Sequence, residues 1–286
     1  MILLERRVPE SFNYFLIGDD HEGASFRHNM GWNRLCEMFS KSYGGCKKNI
    51  FCHHGDALEG ITVSDNRYDP RTNREPIPLR QAAQVIENLR PLCDVDREGV
   101  LLAGNHEMTL KNFGNLARFV ADMTGLHYGT CACKIHLVDK KGRTIFKHFA
   151  SHGRKSINSS ADDPIRRKAN RRLILKRHLA KKAGDCALMS KGHTHQLFYC
   201  QPEPELFLTD DGKDLNAGYT TDLIDHTAPY IDPSLRWYVN TGCFLRLYKL
   251  GESGYGEMAE YDPTELGFAI VRVRDRKIVA VDEVRI

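Results

Sequence analysis

The sequence predicts an α/β fold. Short apolar runs of strand length, "YFLIG", "NIFCHHG", "VLLAG", "IFKHFASHG" and "CALMSKG", recur along the chain and alternate with stretches of helical periodicity. Each run is followed by acidic, amide or imidazole side chains, at the carboxyl ends of strands, where open α/β sheets place their ligands. The 286 residues can bury a sizeable core, and we read them as one domain.

Taken in order, the run at 14–18 leads into "GDDHEG", and the run at 50–55 leads into "GDALEG". Residues 62–78, rich in Asp, Asn, Arg and Pro, read as a long loop of the kind that often carries function. The stretch "PLRQAAQVIENLRPL" places Leu79, Ala82, Ala83, Ile86 and Leu89 at helical spacing, and "GNLARFVADMTGL" reads as a helix closed by Gly125. In "PIRRKANRRLILKRHLAKKAGD", Ile165, Ala169, Leu173, Leu179 and Ala180 recur on one face, which is expected to pack on a sheet. Nine basic residues between 166 and 182 supply the rest, with no acid among them. Residues 201–236, with prolines and a DG turn, suggest a hairpin within an insertion; residues 237–286 supply closing strands, the tail from Gly267 alternating as a β-hairpin.

Bulk properties narrow the classes. The net charge of +4 is mildly basic and fits a phosphate-bearing partner without demanding one. Nine cysteines, with no CxxC pair and one CxC at Cys131 and Cys133, indicate neither a disulfide framework nor a zinc ribbon. No apolar run approaches the roughly 18 residues of a membrane span, and "MILLERRVPE" does not resemble a signal peptide. The expectation is a soluble, cytoplasmic protein that does not engage a membrane.

The strand ends carry the chemistry: Asp19 and His21, Asp56 and Glu59, Asn105 with His106 and Glu107, His152, and His193 with His195. Residues two apart point to the same side, so Asp19 and His21 act together while Asp20 points away. Two carboxylates, four imidazoles and one amide oxygen exceed a single tetrahedral site. They suit two divalent transition metals about 3.5–4 Å apart with one carboxylate between them. Isolated histidines such as His54, His127, His136 and His148 read as surface or satisfied core residues, and Asp20 and Glu22 as solvated or supporting acids.

These five blocks, in this order across residues 19–195, resemble the calcineurin-like metallophosphoesterases, whose pattern is D-x-H, G-D-x-x-D/E, G-N-H-D/E, H and G-H-x-H. "WYVNTGCF" is similar to the strand and turn that often follow in that family. The resemblance implies a single 1–286 domain built as a β-sandwich of mixed sheets flanked by helices, with metals at the strand carboxyl ends. It implies that Asp19, His21 and His195 hold one ion, that Asn105, His152 and His193 hold the other, and that Asp56 bridges them. It further implies hydrolysis of a phosphoester by a metal-bridging hydroxide, with His106 assisting and Glu107 or another carboxylate supporting His106.

Glu59 stands where the family places a residue that orients ligands, and it reads equally as a helix N-terminal acid. "VSDNRYDPRTNREP" is similar to a segment of prokaryotic and phage-type members, in which Arg67, with Asn105, would contact substrate phosphate; the other reading pairs Arg67 with Asp65 or Asp69. Mn²⁺ is the expected metal, with Fe, Zn or Ni alternatives. The expected activity is phosphodiester hydrolysis of nucleic acid or a nucleotide. A phosphomonoesterase acting on phosphoproteins or nucleotides, and a non-catalytic metal-stabilised scaffold, are the alternatives. The basic helix at 166–182 reads either as a solvated amphipathic helix or as a track for a nucleic-acid backbone.

Overall fold

Strands buried on both sides set the architecture. A computed structural model describes residues 1–286, the side chain of Tyr255 excepted. Numbering strands in chain order, one sheet runs β14 (Lys277–Arg285), β13 (Gly267–Arg274), β2 (Phe12–Ile17), β3 (Asn49–His53), β4 (Val100–Leu101) and β5 (His127–Tyr128). From β2 to β5 the strands are parallel, whereas β13 pairs antiparallel with both β2 and β14. The other sheet runs β1 (Ile2–Arg7), β6 (Ala132–Val138), β7 (Thr144–Ser151), β8 (Leu188–Lys191), β12 (Trp237–Thr241) and β9 (Leu197–Cys200). There β7, β8 and β12 are parallel, β1 and β6 are parallel to each other, and β6 pairs antiparallel with β7 as β9 does with β12. The protein is thus an α/β fold of two mixed sheets flanked by helices.

The period-2 alternation of each strand divides the core into layers. Phe12, Tyr14 and Leu16 of β2 and Ile50 and Cys52 of β3 join a cluster with Ile135, Phe146 and Leu188 of the facing sheet. Phe15, Ile17 and Phe51 point the opposite way, against Leu35 of α1 (Asn29–Ser40), Leu89 of α2 (Pro78–Val95) and Val120 of α4 (Leu116–Thr124). Between α2 and α4 lies the short α3 (Asn105–Thr109). On the far side, Leu175 and Leu179 of α5 (Pro164–Leu179) cover Phe149, Met189 and Tyr238.

The chain ends α4 at Gly125, in the left-handed conformation with φ 76°, as its spacing indicates. The faces of two other helices differ from expectation. In α2, Leu79 and Ala83 are exposed, and Gln81, Val85 and Leu92 are buried beside Ala82 and Leu89. Gln81 is tolerated because its amide accepts from Gly60 N at 2.9 Å and donates to Glu75 O at 2.5 Å. In α5 the expected stripe is divided: Ile165 and Leu173 are 80 % and 64 % exposed, whereas Leu179 is buried. Leu175 joins Leu179 in the sheet contact, helped by half-buried Arg171 and Arg172.

β10 (Leu206–Asp210) and β11 (Leu215–Tyr219) form an antiparallel hairpin that joins neither large sheet. All nine cysteines are unpaired. Among the described residues, no helix is long and apolar enough to cross a membrane.

His54 and His148 are fully buried between the sheets, both hydrogen-bonded to Ser190 Oγ, at 2.5 and 2.6 Å; Tyr14 Oη lies 3.0 Å from His148 Nδ1. Burial, and then repulsion from His54, hold the His148 imidazole well below its ordinary value. An unfolded imidazole takes up its proton near about pH 6.5, while the folded one stays neutral. Stability is therefore unaffected above that value and falls as pH drops through it, by up to about 1.4 kcal/mol per pH unit. Urea midpoints measured at about pH 7.5 and about pH 5.5 are expected to diverge less in His148→Gln than in the parent chain.

Candidate metal centre

Parallel pairing brings five strand ends to one edge of the two sheets. Asp19 and His21 follow β2, Asp56 follows β3, Asn105 and His106 open α3 just after β4, His152 follows β7, and His193 and His195 follow β8. The backbone there is unusual. Asp19, His21, Asp56, His193 and His195 all have positive φ, from 49° to 76°. Non-glycine residues in this region cost roughly 1–2 kcal/mol each, and such positions gather where a site dictates the geometry. The left-handed turns swing consecutive ligand-type side chains off the strand ends and toward a common point.

Two glycines permit the approach. A Cβ on Gly104 would lie 2.0 Å from Asp56 Oδ1, and one on Gly55 would lie 2.4 Å from Gly104 N. With those carbons missing, the turn after β3 lies directly against the start of α3, and His106 N donates to Asp56 Oδ1 at 2.8 Å.

The donor atoms fall into groups. Those of Asp19, His21 and His195 lie within 4.8 Å of one another. His21 Nδ1 is 2.7 Å from Glu59 Oε2, so it carries the proton and leaves the Nε2 lone pair facing His195 Nε2 at 3.1 Å. His195 Nε2 is also 3.5 Å from Asp19 Oδ1. Asp56, His152 and His193 form another group with the same spread. His152 Nδ1 is 2.7 Å from the His54 carbonyl, which can only accept, so that nitrogen is the donor. Its Nε2 then meets Asp56 Oδ2 at 3.2 Å and Asn105 Oδ1 at 2.9 Å. Lone pairs converging in this way require a cation between them, either a proton or a metal ion. These buried His, Asp and Glu groups could therefore hold a metal ion.

The electrostatics favour charged carboxylates. Burial opposes ionisation of Asp19, but the hydrogen bond from His195 and the charge of His152 bring it down to about 2. Asp56 is held well below the usual carboxylate range against its burial, chiefly by His152. His152 in turn is pushed up to about 9 despite burial, by Asp56 above all. Burial, with repulsion from His152 and Lys191, lowers His193 to about 4, so it presents a neutral imidazole at neutral pH.

The supporting residues have separate tasks. Glu59 orients His21, and its backbone carbonyl takes the Nδ1 proton of His106. A further group of donors, from His21, Glu59 and His106, is close enough to hold an ion, but Glu59 and Nδ1 of both histidines are already engaged in these bonds. Glu107 accepts from Asp56 N, Leu58 N and Gly104 N at 3.1, 2.9 and 2.7 Å, which commits its carboxylate to the backbone of the loops after β3 and β4.

Asp20 and Glu22 are buried and point the other way. Asp20 meets His53 Nε2 at 3.1 Å and Arg27 Nη2 at 3.3 Å, while Glu22 meets Asn88 Nδ2 at 2.8 Å, Arg27 Nε at 3.3 Å and Arg74. His53, Arg27 and Arg74 went unrecognised in the sequence, where only the alternation of the acids with Asp19 and His21 hinted at a second cluster.

The donors open onto a cleft of about 650 Å³, whose wall also includes Arg67, Asn158, Arg171 and Arg246. Arg67 clasps Asp65 at 3.0 and 2.8 Å, the pairing that its other reading gives it, and lines this cleft. No model of a known protein family matches the chain, and no curated protein matches it in sequence.

Gly104→Ala would drive a methyl group into Asp56, whereas at Gly142, with φ 78°, an added Cβ strains the turn locally but meets nothing within 4 Å. Titration calorimetry with Mn²⁺ is expected to show at least about a tenfold loss of affinity in Gly104→Ala and no change in Gly142→Ala.

Proposed function

We propose that the strand ends hold two divalent transition-metal ions and that the protein hydrolyses phosphodiester bonds in a nucleic acid or nucleotide. The observation that carries this reading is the convergence of imidazole and carboxylate lone pairs, with tautomers fixed by Glu59 and by the His54 carbonyl, at the floor of an arginine-walled cleft. The donor set fits borderline transition metals such as Mn²⁺, Fe, Zn or Ni. Asp19, His21 and His195 would hold one ion and Asn105, His152 and His193 the other, with Asp56 shared between them.

Bound there, the ions would supply positive charge to a phosphate and bring the pKa of water toward neutrality. The chain's own residues do the rest. Buried carboxylates keep the centre from becoming too cationic, and Glu107 holds the Asp56 and Gly104 loops in register. His106 spends Nδ1 on the Glu59 carbonyl, which leaves Nε2 as the atom that passes a proton to the leaving oxygen. The planar fork of Arg67, already ordered by Asp65, suits a phosphate oxygen at the mouth of the cleft. Arg171 and Arg246 on the wall favour a substrate that continues beyond the scissile phosphate, hence a diester over a monoester.

The test compares Mn²⁺-dependent turnover of bis(p-nitrophenyl) phosphate and p-nitrophenyl phosphate. Faster cleavage of the diester is expected, with activity lost in Asp56→Asn. His106→Ala should lower kcat by about 10²–10⁴-fold while binding the metal as the parent does. Cleavage of the monoester alone would transfer the reading to a phosphatase, and full activity in Asp56→Asn would overturn it.

A further inference from the structure

Two surface features remain that the metal centre does not use, and each has the character the other lacks. The first is the β10–β11 hairpin. Its register pairs Leu206 with Tyr219, Leu208 with Ala217 and Asp210 with Leu215, so these six share one face. On that face Leu206, Leu208, Leu215 and Tyr219 are 62 %, 65 %, 70 % and 48 % exposed. A two-stranded ribbon is marginal alone, and an open apolar face on one is a site of association. Its surroundings are acidic: residues 203–225 hold seven acids (Glu203, Glu205, Asp210, Asp211, Asp214, Asp222, Asp225) against Lys213, a net of −6.

The second is the outer side of α5. Ile165, Ala169 and Leu173, spaced four apart, form an exposed stripe with Arg166 and Arg177 beside it. Residues 164–182 hold nine basic side chains and no acid. Among the described residues, the only ion pair made by a side chain of this helix joins Lys176 to Glu203, at 3.2 Å. A helix that only tracked phosphates would gain nothing from an exposed Ile and Leu among its basic side chains, whereas an apolar, acidic partner would match both of its properties.

We infer that these two surfaces are partners across a dimer of this chain, the acidic apolar hairpin of each copy lying on the basic apolar stripe of the other's α5. The area argues for reciprocity. A single hairpin-on-helix contact, a two-stranded ribbon against one helix, is small beside the roughly 800 Å² per partner that a stable interface needs. Two such contacts about a twofold axis double it and close the assembly. The inference is independent of the reaction the metal centre performs.

The test is the mass of the full-length chain by sedimentation velocity over a range of concentrations. The parent is expected to reach twice the chain mass and to dissociate as salt is raised, because the contact is charge-assisted. Asp210→Lys with Asp214→Lys, and separately Arg166→Glu with Arg177→Glu, should each weaken self-association by at least about tenfold, and all four together should restore it. Asp210 and Asp214 also accept from backbone amides in the hairpin turn. Leu208→Ser, which leaves the turn intact, provides a second variant with the same expected loss. A parent that stays monomeric, or a mass that grows without limit, would overturn the closed dimer. So would an unchanged mass in Arg166→Glu with Arg177→Glu alongside lost binding of a fluorescent oligonucleotide, which would assign α5 to nucleic acid.

Discussion

Two ionised carboxylates, Asp19 and Asp56, lie at 0 % and 1 % exposure among four imidazoles, where each charge has given up its water. Desolvation on that scale is tolerated only when hydrogen bonds and opposite charge replace the lost hydration. The backbone supplies part of this: His193 N reaches both oxygens of Asp19, at 3.1 and 3.0 Å, and His106 N reaches Asp56. His193 itself sits in a left-handed turn, whereas His106 N is one of the free amides in the first turn of α3, so local strain and a helix N-terminus both solvate the two acids.

That arrangement constrains the topology. The ends of β2, β3, β4, β7 and β8 meet at one edge only if each set runs parallel within its own sheet. Parallel neighbours need crossovers, and the helices that make them cover the outer faces. α1 and α2 arise in this way on one sheet and α5 on the other, leaving the inner faces free to pack on each other. The segment between β2 and α1 illustrates the economy. Asp19 and His21 serve the donor cluster while Asp20 and Glu22, pointing oppositely, are neutralised by Arg27, whose guanidinium lies 4.9 Å over Trp32. The turn is held from both sides.

Much of this was legible in the sequence. Strand ends could be read because apolar runs stop abruptly at Gly18, Gly55, Gly104, Gly153 and Gly192, and the alternation in "GDDHEG" separated the two sides of that turn. The helix faces were less legible, for a physical reason. Periodicity counts apolar residue types, whereas burial depends on where the sheet ends and which polar groups find partners. Gln81 is buried because loop atoms satisfy its amide, and Ile165 is exposed because the contacts of α5 with its sheet are made from its carboxyl half, at Leu175 and Leu179. Likewise the oxygens of Glu107 are committed to three backbone amides contributed by two separate loops, a pairing that spacing along the chain cannot reveal.

The cleft also separates two kinds of residue by how they are held. Its floor comes from strand ends whose side chains are locked by buried bonds, such as His21 to Glu59 and His152 to the His54 carbonyl. Its outer wall comes from the loop bearing Arg67, the segment after β12 bearing Arg246, and α5 bearing Arg171. The two are joined through the backbone, Phe244 N donating to the Asp19 carbonyl and Glu265 N to the His195 carbonyl, each at 2.9 Å. The donors that could hold a metal ion and the arginines of the wall therefore lie on different parts of the chain.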